Sequence, residues 1–240
     1  MNITNVFYAL QQPFPGEDYS LFGNPRWEKE FGYASWADEV HLESIRCPVN
    51  PGHQRAGERI NDLIIVLPSE KVGDFVWTWY GDCLLTDRVL HLFQEAGFSG
   101  FTVKPALVKP KTEKGKELSA LPTLWELVVT GKGGDADPKS GIRLIYTCPH
   151  CGMIRYSSFR NGIIVNEQSW DGSDFFTISG YRKFLLVTER VKNFIIEHGL
   201  INCAVIPSHD LVWKSLVRPE DFYGNDEERG DWVTGQDSKS

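Results

Sequence analysis

The sequence has little that would place the chain in a membrane or on nucleic acid. No apolar run approaches the roughly 20 residues that a membrane-spanning helix needs. The start, Met1-Asn-Ile-Thr, lacks the basic and apolar stretches of a signal peptide, so we expect a cytoplasmic protein with no membrane partner. Basic residues are in deficit, with 25 Lys and Arg against 32 Asp and Glu. This balance argues against nucleic-acid binding, which usually requires a basic face.

Recognisable catalytic patterns are also missing. The sequence contains no dinucleotide-binding fingerprint, no paired carboxylates on one predicted helix face and no convincing Ser/His/Asp set. A glycine-rich stretch begins at Gly131, but neither Lys-Ser/Thr nor a helix follows it. It therefore predicts a hairpin turn and not a phosphate loop. We assign no catalytic residue and expect a protein that is not an enzyme.

What the sequence does contain is enough apolar residues for a core, a few cysteines and an acidic end. Hydrophobic residues make up 41% of the 240 residues, with eight Trp and 14 Phe. In a cytoplasmic chain, five cysteines suggest thiols or metal ligands more than disulfides. Seven acidic and two basic residues lie between Pro219 and Ser240, which predicts a solvated acidic tail over residues 209–240.

Two stretches about a hundred residues apart look like copies of each other, and each begins with a cysteine knuckle. The first knuckle runs from Cys47 to His53, and the second reads Cys148-Pro-His-Cys151-Gly152. The matches that follow keep a nearly constant spacing: Asp74-Phe75 with Asp174-Phe175, Thr86-x-Arg88-Val89 with Thr188-x-Arg190-Val191, and Gly97, Val103 and Pro105 with Gly199, Val205 and Pro207. Such a repeat predicts the architecture of the whole chain.

We therefore expect an α+β protein built from two related β-knuckle-β-α-β halves, with the knuckles paired as in a zinc ribbon. The chain is expected to form one domain, divided into an N-terminal strand and aromatic-rich loop (1–40), a first half (41–106), a linker and hairpin strand (107–140), a second half (141–208) and the tail (209–240).

The repeat also locates the secondary structure. Each predicted helix has a threonine N-cap, Thr86 or Thr188, followed by an acid, and it ends at Gly97 or Gly199. Strands are predicted at 5–10, 40–47, 63–67 and 163–165. Two more are predicted after the helices, at 98–103 and 200–206, and each of these two is stopped by a proline. A hairpin is predicted from the strands 124–130 and 142–146.

The two knuckles propose a metal site. Cys148 and Cys151, two residues apart and followed by a glycine, can chelate one Zn²⁺ through their thiolates. The repeat places the other half of the site at Cys47, where Asn50 occupies the second cysteine position and His53 follows. A site closed by Cys47, His53, Cys148 and Cys151 would be structural, because all four ligands come from the protein. A metal-free relic of a knuckle and a redox pair are the alternatives.

Other candidates have structural explanations. Asp74 and Asp174 could be active-site carboxylates, but their repetition favours a turn-forming Asp beside a core Phe. Cys203 is predicted in the core, and nothing marks Cys83 as a nucleophile. His91 and His198 are expected on helices, and His150 is expected to be exposed. The aromatic set Trp27, Trp36, Trp77, Trp79 and Tyr80 has acidic neighbours, which favours core packing or a protein-facing patch over base stacking.

The chain resembles the double-CXXCG motif proteins, a bacterial family of roughly this length. Besides the two knuckles, the resemblance is carried by Asp74-Phe-Val-Trp77, Leu85-Thr-Asp-Arg-Val89, Ala96-Gly-Phe-Ser-Gly100, Leu121-Pro-Thr-Leu-Trp-Glu-Leu127, Asp174-Phe175 and Thr188-Glu-Arg-Val191. Cys47, Cys148 and Cys151 match the knuckle cysteines of the family. Asn50 departs from the pattern, which shifts one expected ligand to His53.

The resemblance implies a function as well. Some members of the family are described as immunity proteins of toxin-exchange systems, so we expect a non-catalytic protein that binds and neutralises a cognate toxin. The acidic residues could steer a basic toxin. The alternative is a zinc-ribbon-like module that binds another protein or nucleic acid.

Overall fold

The computed structural model describes residues 5–13, 33–67, 71–110, 121–157, 159 and 161–211. Over these residues the chain is a mixed α+β protein, mostly strands with two helices, which confirms the predicted class. No helix in the described ranges is long and apolar enough to cross a membrane. Trp27, and the predicted acidic tail beyond residue 211, lie outside the described residues.

The elements follow the chain in this order: β1 Phe7–Gln11, β2 Ser35–Trp36, β3 Leu42–Ile45, β4 Arg55–Arg59, β5 Ile64–Leu67, β6 Phe75–Trp77, β7 Cys83–Thr86, α1 Asp87–Glu95, β8 Phe101–Pro110, β9 Leu124–Val129, β10 Gly131–Lys132, β11 Leu144–Thr147, β12 Ile154–Tyr156, β13 Phe175–Thr177, β14 Leu185–Thr188, α2 Glu189–Glu197 and β15 Ala204–Pro207. Within the described ranges they form a six-stranded sheet, a five-stranded sheet and two separate hairpins.

The two large sheets have related strand orders. The six-stranded sheet reads β2-β5-β8-β9-β7-β6, and the five-stranded sheet reads β10-β13-β14-β1-β15. Strand β9 lies between β7 and β8, as β1 lies between β14 and β15. In both sheets the strand before the helix and the strand after it are thus separated by one strand from elsewhere in the chain.

One hydrophobic cluster is shared by both halves. Each helix contributes to it, with Val89 and Phe93 from α1 and Val191 and Ile195 from α2. At its centre the Phe93 ring lies 5.3 Å from the Phe175 ring and 6.2 Å from the Phe75 ring. All three phenylalanines are fully buried. The halves are therefore joined by a common core and are not separate folding units side by side.

The two Asp-Phe pairs join the halves reciprocally. Asp174 accepts hydrogen bonds from the backbone N–H of Ser99, which follows α1, and from Arg190 of its own half, both 3.0 Å long. Asp74 accepts from the backbone N–H of Ile201, which follows α2, at 2.9 Å, and from Arg88 of its own half. Each half therefore fixes, through its aspartate, the position of the segment that follows the helix of the other half.

The backbone beside these aspartates repeats the exchange. Phe175 N–H donates to the carbonyl of Ser99 (3.0 Å), and Phe75 N–H donates to that of Ile201 (3.3 Å). The predicted structural role, an Asp beside a buried Phe, is confirmed for both pairs. The contacts go further than a local turn, because they reach across 75 and 127 residues of sequence.

Both helices begin and end where predicted, with Thr86 and Thr188 as N-caps and glycines of positive φ (63° and 57°) after their ends. The threonine hydroxyls do not cap the helices, however. They donate instead to the aspartates: Thr188 to the Asp174 carboxylate (3.0 Å) and Thr86 to the Asp74 carbonyl (3.4 Å).

The predicted hairpin of 124–130 with 142–146 is wrong. Strand β9 pairs with β7 and β8, and β11 pairs with β12. The alternating pattern of both segments predicts strands but carries no information about their partners. The expected turn at Gly131 is instead β10, which pairs in parallel with β13. A Cβ at Gly131 would lie 2.1 Å from the Phe175 carbonyl oxygen, so this crossing requires glycine.

Three further strand predictions need correction. Residues 163–165 form only an isolated bridge, between Val165 and Ala136. Strand β8 runs through Pro105 and into the predicted linker. Its pairing with β5 begins only at Leu107, so at Pro105 one side of the strand is an edge, where proline is tolerated. Strand β15 starts late, after Asn202 with a positive φ of 62°, and includes Pro207.

We expect Asp174→Ala to destabilise the protein by about 2–3 kcal/mol, because it leaves the Ser99 N–H without its charged acceptor. Arg190→Ala should cost less than about 1 kcal/mol, since that side chain is 54% exposed and its ion pair is screened by water. Urea unfolding measures both, with the exposed Asp62→Ala as control. Arg190 also donates to the Ala96 carbonyl, so equal losses for the two variants would show that this side chain stabilises the link between halves as much as the carboxylate does.

Candidate metal centre

Two hairpins carry the knuckles. In the first, β3 pairs with β4, and in the second β11 pairs with β12, each antiparallel with a register shift near its open end. Cys47 follows β3, and His53 ends a short 3-10 turn, Pro51–His53, just before β4. Cys148 and Cys151 lie in the tight turn between β11 and β12. Gly152, with φ 64°, donates its N–H to the Cys148 carbonyl (2.9 Å) and closes this turn.

The knuckles meet, and they bring together all four predicted ligands. Donor atoms of Cys47, His53, Cys148 and Cys151 all lie within 4.8 Å of one another. The sulfurs of Cys47 and Cys148 are 3.9 Å apart, as are the Cys151 sulfur and His53 Nδ1. Tetrahedral Zn²⁺ with bonds of about 2.3 Å to sulfur and 2.0 Å to nitrogen spaces its ligands about 3.5–3.8 Å apart. The donor set therefore fits Zn²⁺ in chemistry, and the two 3.9 Å distances are close to this spacing.

The surroundings of these side chains fit a structural site. Cys47 and Cys148 are buried, and His53 and Cys151 are partly buried. Four protein donors leave no open position at a tetrahedral ion for water or substrate. One ligand pair comes from each hairpin, so an ion bound here would cross-link segments that are 101 residues apart in sequence.

The hydrogen bonds around Cys148 favour its thiolate form. Burial alone would raise its pKa, but hydrogen bonds to its sulfur from the backbone of Cys151, from the Tyr146 side chain and from the backbone of His150 outweigh burial and lower the pKa to about 5. The same hydrogen bond to Cys148 raises the pKa of Tyr146 to about 12, so its hydroxyl remains a donor. A thiolate is the form that binds metal.

Arg55 compensates for part of the negative charge of the cysteines. Its guanidinium donates to the Cys151 sulfur (3.4 Å) and to the Cys151 carbonyl (3.0 Å). Three thiolates around one Zn²⁺ leave a net charge of −1, which is costly in a partly buried site unless a cation lies beside it. Arg55 also links strand β4 of the first hairpin directly to the turn of the second.

Asn50 orients His53. The side-chain oxygen of Asn50 accepts from the Gly52 N–H (2.9 Å), so its amide nitrogen faces His53 and donates to Nε2 (3.2 Å). The Asn50 backbone N–H points to the Cys47 sulfur (3.4 Å). Nδ1, the nitrogen nearer to Cys151, can ligate a metal only when it carries no proton, and the proton then lies on Nε2. Metal ligation through Nδ1 thus requires Asn50 to turn its oxygen toward the ring.

Sequence reasoning missed these three supporting residues. Tyr146 stands two residues before Cys148, on one face of a strand, and Arg55 stands two residues after His53, so strand alternation was an available signal for both. Asn50 was noted only as a missing cysteine. Its contact with His53 depends on the Pro51–His53 turn, which spacing alone does not define.

The other candidate residues lie away from the centre. Burial raises the pKa of Cys83 and of Cys203, which lie in the shared core, and both thiols are therefore unreactive. His91 and His150 are exposed, and His198 stacks on Phe194 with its ring centroid 3.9 Å away.

The aromatic set is divided between core and surface. Trp77 is buried and donates its indole N–H to the Asn202 carbonyl (2.8 Å), and Trp36 is half-buried. Trp79 and Tyr80 are exposed. Core packing is thus confirmed for Trp77, whereas the two neighbouring rings face solvent.

Comparisons with known proteins give no match, either among protein-family models or among curated proteins. The resemblance to the double-CXXCG proteins therefore rests on the motifs quoted above.

We predict that Asn50→Asp tightens zinc binding about tenfold, because a carboxylate can accept from Gly52 and from a protonated Nε2 without turning. Asn50→Leu should weaken binding, since it removes the partner of His53. Competition with a chromophoric zinc chelator measures both affinities. If Asn50→Asp binds zinc no more tightly than the unaltered protein, ligation through Nδ1 with support from Asn50 is wrong.

Proposed function

We propose that the chain binds one structural Zn²⁺ through Cys47, His53, Cys148 and Cys151. The proposal is supported by the convergence of these four donors, two from each hairpin, within 4.8 Å of one another. Bound there, the ion would supply no catalytic chemistry. The ligands would hold the two hairpins against each other, as in a zinc ribbon.

We also infer that the two halves arose by duplication of one unit. The matched orders β6-β7-β9-β8 and β13-β14-β1-β15 support this inference, and so do the reciprocal contacts of Asp74 and Asp174. On this view, the paired knuckles are equivalent parts of the two copies. The first knuckle has exchanged a cysteine for Asn50 and uses His53 in its place.

Purified protein should contain one zinc per chain by elemental analysis. Cys148→Ser should lose the metal and lower the midpoint of thermal unfolding by about 10 °C or more, because metal binding is coupled to folding. Cys203→Ala is the matched control: it removes a buried thiol outside the site, should cost about 1 kcal/mol and should retain all the zinc. Much less than one equivalent in the unaltered protein would overturn the zinc proposal.

We propose further that the protein is a non-catalytic binder that neutralises a cognate toxin, as an immunity protein does. The resemblance of the motifs supports this role. The repeated carboxylates, Asp74 and Asp174, are engaged in joining the halves, and the proposed metal site is closed, so neither supports a catalytic function. A net charge of −7 suits a basic partner.

Co-expression with the product of the adjacent gene tests this role. We expect that product to stop growth when expressed alone, and this chain to restore growth and to co-purify with it. A neighbour that is harmless by itself, or that still kills when this chain is present, would contradict the immunity proposal.

The alternative proposal is a zinc-ribbon-like module with a different protein or a nucleic acid as partner. The two facing knuckle hairpins favour it. Binding to DNA or RNA that weakens steeply as salt rises would support the nucleic-acid version.

A further inference from the structure

A turn between β6 and β7 presents two uncovered aromatic rings. Trp79 and Tyr80 lie at its corner, with 68% and 58% of their surface exposed. The turn is well built: Thr78 N–H donates to the Asp82 carbonyl (3.1 Å), and the buried Thr78 hydroxyl accepts from the backbone N–H groups of Tyr80 (3.2 Å) and Asp82 (3.0 Å). The exposure of the rings is therefore a property of an ordered turn.

Each exposed ring is held by a second ring. Trp79 lies on Tyr33, with centroids 4.2 Å apart, and Tyr80 lies on Trp36, with centroids 4.1 Å apart. The Trp36 indole N–H donates to the Asp82 carboxylate (2.7 Å). These five residues form one surface, which we call the aromatic patch. Because its rings are already oriented, a partner would lose little side-chain entropy in ordering them.

The corresponding turn of the second half is covered. It follows β13, where Gly180 lies against the Tyr156 ring and Tyr181, which is buried, donates its hydroxyl to the Ser157 carbonyl. The cover is thus the β11–β12 hairpin of the same chain. In the first half, the turn has no such cover among the described residues, and its two largest side chains face solvent. Because a protein segment covers the turn after β13, we expect a protein segment to cover Trp79 and Tyr80 in the turn after β6.

The charges around the aromatic patch define the partner further. The two segments that carry the patch residues, 33–40 and 78–82, include Asp38, Glu39 and Asp82 and no basic residue. Asp38 and Glu39 are both exposed, and Glu39 is already paired with Lys109. Rings beside carboxylates attract lysine and arginine side chains, since the ring face and the carboxylate both favour a cation.

We propose that the aromatic patch binds a basic segment of a protein partner, with a lysine or arginine side chain seated over Trp79 and Tyr80. Trp and Tyr are the residues that most often dominate binding energy at protein interfaces, and acidic neighbours speed the approach of a basic partner. The proposal rests on the protein-binding function proposed above and assigns the surface that performs it.

Binding of a fluorescein-labelled octa-arginine peptide to the full chain tests the aromatic patch directly. Trp79→Ala/Tyr80→Ala should weaken binding about tenfold. The control is Leu144→Ala/Ile154→Ala, which removes two side chains of similar exposure from the second hairpin and should leave binding unchanged. Neither double variant changes the net charge, so a general attraction of the peptide to an acidic protein is the same in all three proteins.

Trp79→Leu/Tyr80→Leu separates the cation–ring contact from simple apolar contact and should bind as weakly as the alanine pair. Equal peptide affinity for the patch and control variants would overturn the proposal, as would tighter binding of a thymidine octanucleotide than of octa-arginine. In the co-expression assay, the patch variant should lose protection and the control variant should keep it. Failure of the immunity proposal would leave the peptide result intact, so the two failures are distinguishable.

Discussion

The structure depends on the reciprocal contacts of two carboxylates, Asp74 and Asp174. Each is largely buried and accepts a backbone N–H from the segment after the helix of the opposite half. The arginines beside them are about half exposed, so water weakens those ion pairs, and the backbone hydrogen bonds carry most of the specificity. Because both contacts cross between halves, neither half can complete its own helix-to-strand connection without the other. This explains why the core is shared.

A metal ion at the candidate centre would stabilise the part of the chain that this core does not reach. The two knuckle hairpins have only two strands each, and isolated two-stranded hairpins are marginally stable in water. They also expose apolar side chains, including Leu42 and Leu144. An ion that joins Cys47 to Cys148 would close a long loop between the two hairpins. Arg55 donates to the Cys151 sulfur and Tyr146 donates to the Cys148 sulfur, so both side chains would offset negative charge on these thiols.

The two large sheets have similar strand orders, but the turns after β6 and β13 have different surroundings. In the second half, the turn after β13 packs beneath the β11–β12 hairpin, and its Tyr181 is buried. In the first half, the matching turn projects Trp79 and Tyr80 outward on supporting rings. The two halves are thus alike at the aspartates and helices and differ at these two turns.

The sequence by itself determined the local features: both helices with their threonine and glycine ends, the buried Asp-Phe pairs and the four clustered donors Cys47, His53, Cys148 and Cys151. These features follow from short-range sterics, hydrogen bonding and ligand chemistry, and the sequence contains the helix ends and the Asp-Phe pair twice. Only the tertiary structure decided which strands pair, that β1 and β9 insert into the sheets, and that Asn50, Arg55 and Tyr146 contact His53, Cys151 and Cys148. Strand alternation specifies a buried face but not a partner, so contacts between distant segments emerge only when the whole chain packs.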